Sequence, residues 1–408
     1  MNVMENLEFF AQSFVNIMRR SLTVADQPLV WTIIANPLAR GFTNPARWKY
    51  NHKIMRAFLD IARDNPEREW VESSRTAREM NGGNRARPGL ALTEGPGHAA
   101  AITRALLNEA QAESIASTGS AASGGTGAFY LIIIAGGDGT SREVLSVLYG
   151  LPAELRPRFA ALRLPMGTGN DGADGYFLYE ALRLIAHPSH VKLQRAVMLK
   201  TARSGGMPVD PPLSAPPNRG AERGPFLAFN ILSVGLDAFV THMTNRMKTR
   251  IPGDAYKLWV DLAALFYDRL YQVGPLNVKA FDQAGELVQS FTEKVLLLAV
   301  GVSGKRTYGG RKLILPDERN VCMVKQMPLL RKLVMKGRFT YGKHVSEPES
   351  LLFTASRVEF SGKHPILAQM DGETALLEPE DFPAAIELTA PVIPVLTPGS
   401  AWPGVDKR

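Results

Sequence analysis

The chain has a single cysteine, Cys322, so no internal disulfide can form and four-cysteine zinc sites are excluded. A disulfide-stapled secreted module is ruled out with them, and a reducing cytoplasm is the expected location. No apolar run reaches the roughly 20 residues that cross a bilayer. Glu5 and Glu8 precede Arg19 and Arg20, the reverse of signal-peptide order. Aromatic residues make up only 8%, and none forms a stacking platform among the cations, so a nucleic-acid partner is not expected. Acids are absent from 325 to 344, where Lys325, Arg331, Lys332, Lys336, Arg338 and Lys343 supply six positive charges.

What is present is ordinary globular material. Hydrophobic residues are 45% and charged residues 21% of 408, which excludes a disordered or collagenous chain and allows two to three domains. The net charge of +8 and pI near 9.5 suit anionic partners such as phosphates, nucleic acid or acidic lipid heads.

Along the chain, Leu7, Phe10, Phe14, Ile17 and Met18 keep helical spacing and predict an N-terminal helical extension over 1–27. The runs LVWTIIA (29–35) and FYLIIIA (129–135) are continuous, branched and apolar, as buried parallel strands are. With shorter strands at 90–92 and 159–164, and helices at 53–62, 98–112 and 141–149, the order alternates strand and helix. That predicts an α/β domain over 28–188 with an open parallel sheet. From 189 to 383 strand-like segments at 195–199, 227–234, 276–281, 295–300 and 357–360 dominate, which predicts a β-rich, sandwich-like domain with one helix at 255–271. The stretches 114–127 and 201–225, poor in apolar residues, read as loops.

Two glycine turns carry the chemistry. Gly136-Gly137-Asp138-Gly139-Thr140 lies between a buried strand and a helix, where main-chain N–H groups and the positive helix end favour phosphate. Asp138 cannot itself favour phosphate and points to a metal or a polarised water. Pro165-Met166-Gly167-Thr168-Gly169-Asn170-Asp171 follows the next strand, so both turns are expected at one crevice beyond the carboxyl ends of the sheet. Gly167, Gly169 and Gly172 match the dinucleotide spacing, but no acid lies between Ala181 and Val209 to take a ribose. Gly304-Lys305 fails the P-loop template, with Ala299 and Arg306 at its key positions. His187 and His190 are separated by Pro188 and no carboxylate follows nearby, which argues against zinc. No G-x-S-x-G elbow supports a hydrolase.

At these residues the sequence resembles the diacylglycerol kinase catalytic family, which includes bacterial lipid kinases and sphingosine kinases, with a more distant likeness to NAD kinases through GGDGT. The landmarks run in order: Asn36-Pro37, Thr93, GGDGT with Glu143, PMGTGND, Gly235 with Asp237 and Ala238, Gly253 with Ala255 and Tyr256, Gly342 with His344, and Asp371-Gly372-Glu373. The resemblance implies an α/β nucleotide domain, a β-rich domain, and a tail over 384–408 whose final strand returns to the first. It implies ATP and magnesium as cofactors. Asn36, Thr93, Gly136, Gly137, Gly139, Thr140, Gly167, Thr168, Gly169 and Asn170 would bind the nucleotide, Asp138 would organise the metal, and Glu373 would be the general base.

The implied function is transfer of the γ-phosphoryl group of ATP to a lipid hydroxyl, diacylglycerol or a relative. The alternatives are NAD kinase-like phosphorylation of a soluble hydroxyl and a homologue that binds without catalysis. Three positions depart from the family pattern: Arg142 in place of Asn, Asn320-Val321 in place of an Asp-Gly pair at a structural metal, and Val302-Ser303 in place of an Asn. Asp317 or Glu318 could stand in for the missing metal ligand. The apolar and cationic residues of 325–344 suit peripheral contact with the inner membrane face, and a homodimer is compatible with the chain.

Overall fold

The computed structural model describes residues 2–23, 28–65, 67, 71–76, 89–118, 128–203, 226–248, 267, 274–309 and 312–398. The expected helix at 255–271 apart from Tyr267, most of the expected loop at 201–225, residues 119–127 of the expected loop at 114–127 and the landmarks Gly253, Ala255 and Tyr256 lie outside them. Among the described residues no helix is long and apolar enough to cross a membrane. The chain divides into two compact units, one running to Gln194 and resuming at Pro391, the other from Arg195 to Ala390.

The first unit opens with α1 (Val3–Arg19), capped by the Asn2 side chain, which accepts from Met4 N–H. Its stripe of Leu7, Phe10, Phe14, Ile17 and Met18 is buried, as the spacing predicts, each side chain contributing about 1.5–3 kcal/mol. The sheet comprises β1 (Leu29–Ala35), β2 (Val71–Ser73), β3 (Leu90–Leu92), β4 (Phe129–Ala135), β5 (Phe159–Arg163), β6 (Ser189–Gln194) and the returning β20 (Ile393–Pro398). The order is β2-β1-β4-β5-β20-β6, with β3 also on β1. β1 to β5 are mutually parallel, β20 continues parallel to β5, and β6 is antiparallel to β20. β4 is buried along all seven residues, which is why its sequence is uninterrupted by polar positions. The sequence boundary at 188–189 falls one strand early, because β6 pairs with β20 over six residues.

Helices α2 (Arg40–Thr43), α3 (Pro45–Ala62), α4 (His98–Thr118), α5 (Asp138–Tyr149) and α6 (Leu178–Ala186) follow the strands. α4 runs six residues beyond the predicted end at Ala112, into the stretch read as a loop.

The second unit is a sandwich-like pair of antiparallel layers. One layer holds β7 (Val197–Lys200), β8 (Phe226–Ala228), β10 (Pro275–Phe281), β16 (Arg357–Ser361) and β19 (Ala384–Leu388). The other holds β9 (Ile231–Gly235), β14 (Val321–Lys325), β15 (Ser350–Phe353), β17 (Ile366–Met370) and β18 (Glu373–Leu377). β11 (Leu287–Gly301) belongs to both: its first half pairs with β10, its second with β9 and β14. Alternation sorts the second layer. Leu232, Val234, Leu298, Val300, Val321 and Met323 face the inter-layer core. Ile231, Leu297, Ala299, Cys322 and Val324 face a second cluster with Ala238 and Phe239 of α7 (Leu236–Lys248) and Met335 of α8 (Leu329–Thr340). A small hairpin of β12 (Arg306–Tyr308) and β13 (Lys312–Leu315) completes the unit.

Candidate active site

In the first unit the parallel register brings the expected residues to one edge. Ala35 pairs with both Leu92 and Ala135, and Ile134 with Arg163, so β1, β3, β4 and β5 end in step. Asn36, Thr93, the 136–140 turn and the 164–171 turn follow directly. Thr93 is buried and its N–H donates to Ala35 O at 2.9 Å. The Asn36 side chain turns the chain, Oδ1 accepting from Leu38 N–H at 2.9 Å.

The two glycine turns touch through bare backbone. A Cβ built on Gly167 would stand 2.5 Å from Gly137 Cα and 3.3 Å from Gly136 O, closer than side chains tolerate. Asp138 opens α5 and reaches across the contact: its Oδ1 accepts from Gly172 N–H at 3.3 Å. A Cβ on Gly169 would meet Oδ2 of Asp138 at 3.1 Å and Oδ2 of Asp171 at 3.0 Å. Two carboxylates thus converge on a residue with no side chain. Among the described residues nothing lies within 4 Å of the Cβ direction of Gly139, at the start of α5. Asn170 adopts a left-handed φ of 60°, its Nδ2 donates to Pro165 O at 3.0 Å, and its Oδ1 is buried without a hydrogen-bond partner among the described residues.

One supporting residue escaped the sequence reading. Arg47 of α3, whose N–H is capped by Asn44 Oδ1, donates to Gly167 O at 2.6 Å and Thr168 O at 3.3 Å. It braces the second turn from a position 120 residues away, and only the Asn44-Pro45 helix start hinted at its fixed placement. Glu143 accepts from Gly97, Ala99 and Ala100 N–H at 2.8, 3.0 and 3.3 Å, tying α5 to the first turn of α4. Arg142, one residue earlier, keeps a buried Nε with no hydrogen-bond partner among the described residues.

In the second unit Glu373 begins β18, just after a two-residue hairpin turn. Asp371 (φ 47°) and Gly372 (φ 97°) have the left-handed pair that such a turn requires, and Met370 faces Glu373 across it. The turn is anchored. The Asp371 carboxylate, buried, accepts from Phe229, Asn230 and Ile231 N–H, the last two at 3.1 Å. Gly372 O accepts from Asn245 Nδ2 at 2.9 Å, and Thr374 Oγ1 lies 3.3 Å from His242 Nδ1, both partners on α7. Burial and the neighbouring Arg246 push the His242 imidazole below its ordinary pKa. Glu373 itself is exposed and its carboxylate has no hydrogen bond or ion pair among the described residues. A fixed turn therefore carries an uncommitted carboxylate.

The donor sets decide where a metal fits. Magnesium is held by one or two carboxylates completed by substrate phosphates and water. Asp138 and Asp171 beside the glycine turns match that demand, and the orphaned Asn170 Oδ1 adds an unsatisfied acceptor there. Among the described residues no cluster of three or more His, Cys, Asp or Glu could cage an ion. A structural metal near Asp317 does not fit. Arg319 occupies the Asp317 carboxylate through Nε at 3.0 Å and through its terminal nitrogen, holding that carboxyl below the usual range. Asn320 spends its amide on Ala355, Nδ2 donating to the carbonyl at 2.9 Å and Oδ1 accepting the N–H at 3.0 Å. Glu318 pairs with Lys305 at 2.5 Å on the surface.

Comparison with known proteins agrees with this arrangement. Residues 88–178, which contain both glycine turns, match the diacylglycerol kinase catalytic domain. The chain is 24% identical to the Bacillus subtilis (strain 168) protein named "Putative lipid kinase YtlR" over 289 residues, 69% of this chain and 81% of the other. It shares its fold with the crystal structure of "a putative diacylglycerol kinase from Bacillus anthracis str. Sterne", at TM-score 0.51 and 17% identity, covering 90% of this chain and 97% of that one. The resemblance read from the ordered motifs thus holds, as does the division into a parallel-sheet half and a β-rich half.

Proposed function

We propose that this chain is an ATP- and magnesium-dependent lipid kinase that phosphorylates a lipid hydroxyl, that of diacylglycerol or a close relative. The observation that carries the reading is the side-chain-free contact of Gly167 with Gly137, beside which the Asp138 and Asp171 carboxylates converge on Gly169. Main-chain N–H groups without intervening Cβ atoms suit close approach of phosphate oxygens, and the start of α5 favours their charge. Phosphoryl transfer asks of a protein chiefly positioning and charge neutralisation.

Within this scheme Asn36, Thr93, Gly136, Gly137, Gly139, Thr140, Gly167, Thr168, Gly169 and Asn170 hold the nucleotide, and Arg47 keeps the second turn in shape behind it. Asp138, with Asp171, would hold magnesium, which supplies neutralisation of charge on the phosphates. Glu373 accepts the proton of the acceptor hydroxyl as its oxygen bonds to the γ-phosphorus and the bond to the bridging oxygen breaks, releasing ADP. Asp371 acts through the turn, fixing Glu373 in direction.

The test is transfer of labelled γ-phosphate from ATP with magnesium to diacylglycerol, sphingosine and other neutral lipids in mixed micelles, with soluble NAD alongside. A labelled lipid product that is lost in Asp138→Ala and in Glu373→Gln is expected. Labelled NAD, or no product from a chain that binds ATP, overturns the reading.

A further inference from the structure

Helix α8 is amphipathic in the wrong sense for a surface helix. Toward the sheet it buries Met335 at 2% exposure and Lys332 at 6%. Away from it stand Leu330 at 77%, Val334 at 50%, Leu333 at 48% and Leu329 at 41%, and Tyr341 at 72% just past its end. At about 100° per residue these five side chains fall on one arc of about 140°. A surface helix ordinarily turns such a stripe inward.

The charges around the stripe say what covers it. The helix carries no acid, nor does any residue from 325 to 344. By the same rotation Lys336 borders one edge of the stripe and Arg338 the other, with Lys343 beyond the C-terminus. Glu347 and Glu349 hold Arg331 from the side, at 2.7 Å between Arg331 Nε and Glu349 Oε1, and Glu347 also takes Arg338 at 3.1 Å. Those acids pin the helix to the loop before β15 and are not part of the exposed stripe. An apolar face rimmed by cations, with a tyrosine at its border, matches the chemistry of an interfacial helix resting on anionic headgroups. A second copy of the chain suits it poorly, because a two-fold interface would set this acid-free stretch against itself.

We propose that the outward face of α8, through Leu329, Leu330, Leu333, Val334 and Tyr341, docks on an anionic lipid bilayer. α8 lies in the same hydrophobic cluster as α7, whose His242 and Asn245 contact the hairpin that carries Glu373. The docking face and that hairpin therefore share one layer of one unit. Docking does not rest on the phosphoryl-transfer reading, although a lipid acceptor would give it a use.

The experiment is co-sedimentation of the full chain, without ATP, with vesicles of phosphatidylcholine alone and of equal parts phosphatidylcholine and phosphatidylglycerol. Expected is binding to the anionic vesicles about tenfold stronger or more, falling by about tenfold for each of Leu330→Asp and Val334→Asp. The anionic preference should shrink in Lys336→Glu and Lys343→Glu. Leu287→Asp, at an exposed leucine on β11, is expected to bind as the parent does, and unchanged melting temperatures keep misfolding apart from lost docking. Equal binding to both vesicles, undiminished binding in Leu330→Asp, or a parent dimer that these substitutions dissociate in sedimentation velocity overturns the proposal. Retained vesicle binding without kinase activity would overturn the reaction and leave the docking face standing.

Discussion

Gly137 Cα lies 2.5 Å from the point where a Cβ on Gly167 would stand, so the two glycine turns can meet only while residue 167 lacks a side chain. Gly167→Ala must push one turn off the other. Overpacking of this kind costs about 1–3 kcal/mol, and here the displaced atoms are those assigned to the nucleotide. The expected outcome is a lowered melting temperature together with an ATP affinity weakened about tenfold or more, read by calorimetric titration. Gly139→Ala meets nothing within 4 Å among the described residues and sits in the first turn of α5. Its melting temperature should hold or rise, by the helix preference of Ala over Gly of up to about 1 kcal/mol.

A second prediction separates positioning from chemistry at the hairpin. Asp371 takes three main-chain N–H groups onto one buried carboxylate. Asp371→Asn turns an amide toward donors that need acceptors, at a cost of about 1.5–3 kcal/mol, visible as a lower urea midpoint. Glu373→Gln removes a charge that no partner holds among the described residues, so unfolding should not change. Its effect should fall on kcat, by about 10²–10⁴ for a lost general base. Asp371→Asn should lower kcat as well, but together with stability; equal unfolding curves for it and the parent would exclude the anchoring role.

The parts of the molecule that could be read from the chain are those whose cause is local. LVWTIIA and FYLIIIA announce buried parallel strands because both faces of each strand are covered, and the glycine turns follow from the spacing of a few neighbouring residues. β11 was visible only over 295–300, since its first half alternates exposed and half-buried positions and looks like an ordinary polar segment. Arg47 and Asp371 were opaque in role because their partners lie 120 and about 140 residues away. The departure at Asn320 could be seen in the sequence, but its consequence could not. That an arginine two residues from Asp317 fills the place of a cation requires the folded loop.

From that loop comes a prediction about metal removal. Asp317 and Asn320 are committed to Arg319 and Ala355. The loop at 317–320 is therefore held by these contacts and offers no ligand to an ion. In the absence of nucleotide, excess EDTA should leave the melting temperature within about 1 °C of that in magnesium, where loss of a ligand that binds only the folded state would lower it by several degrees. Arg319→Ala leaves Asp317 unpaired. It should lower the melting temperature in EDTA, with partial recovery on adding magnesium if the freed carboxylate then takes the ion.

Acid should loosen the fold before its carboxylates titrate. The His344 ring is fully buried against Phe339, with centroids 4.3 Å apart. Its Nε2–H donates to Ile314 O at 3.0 Å, and Nδ1 is buried with no partner among the described residues. Protonating Nδ1 would bury an N–H without an acceptor, and burial accordingly pushes the pKa below its ordinary value of 6.5. The same direction, from burial first, holds for His52, His187 and His242. The folded state then binds fewer protons than the unfolded chain below pH 6.5, so this contribution is complete above that value and is lost as pH falls toward the folded pKa. Urea unfolding at pH 7.5, 6.5 and 5.5 should show a progressive loss that flattens in His344→Gln, even if that variant starts less stable. An unchanged slope would mean that the buried imidazole does not set the acid sensitivity.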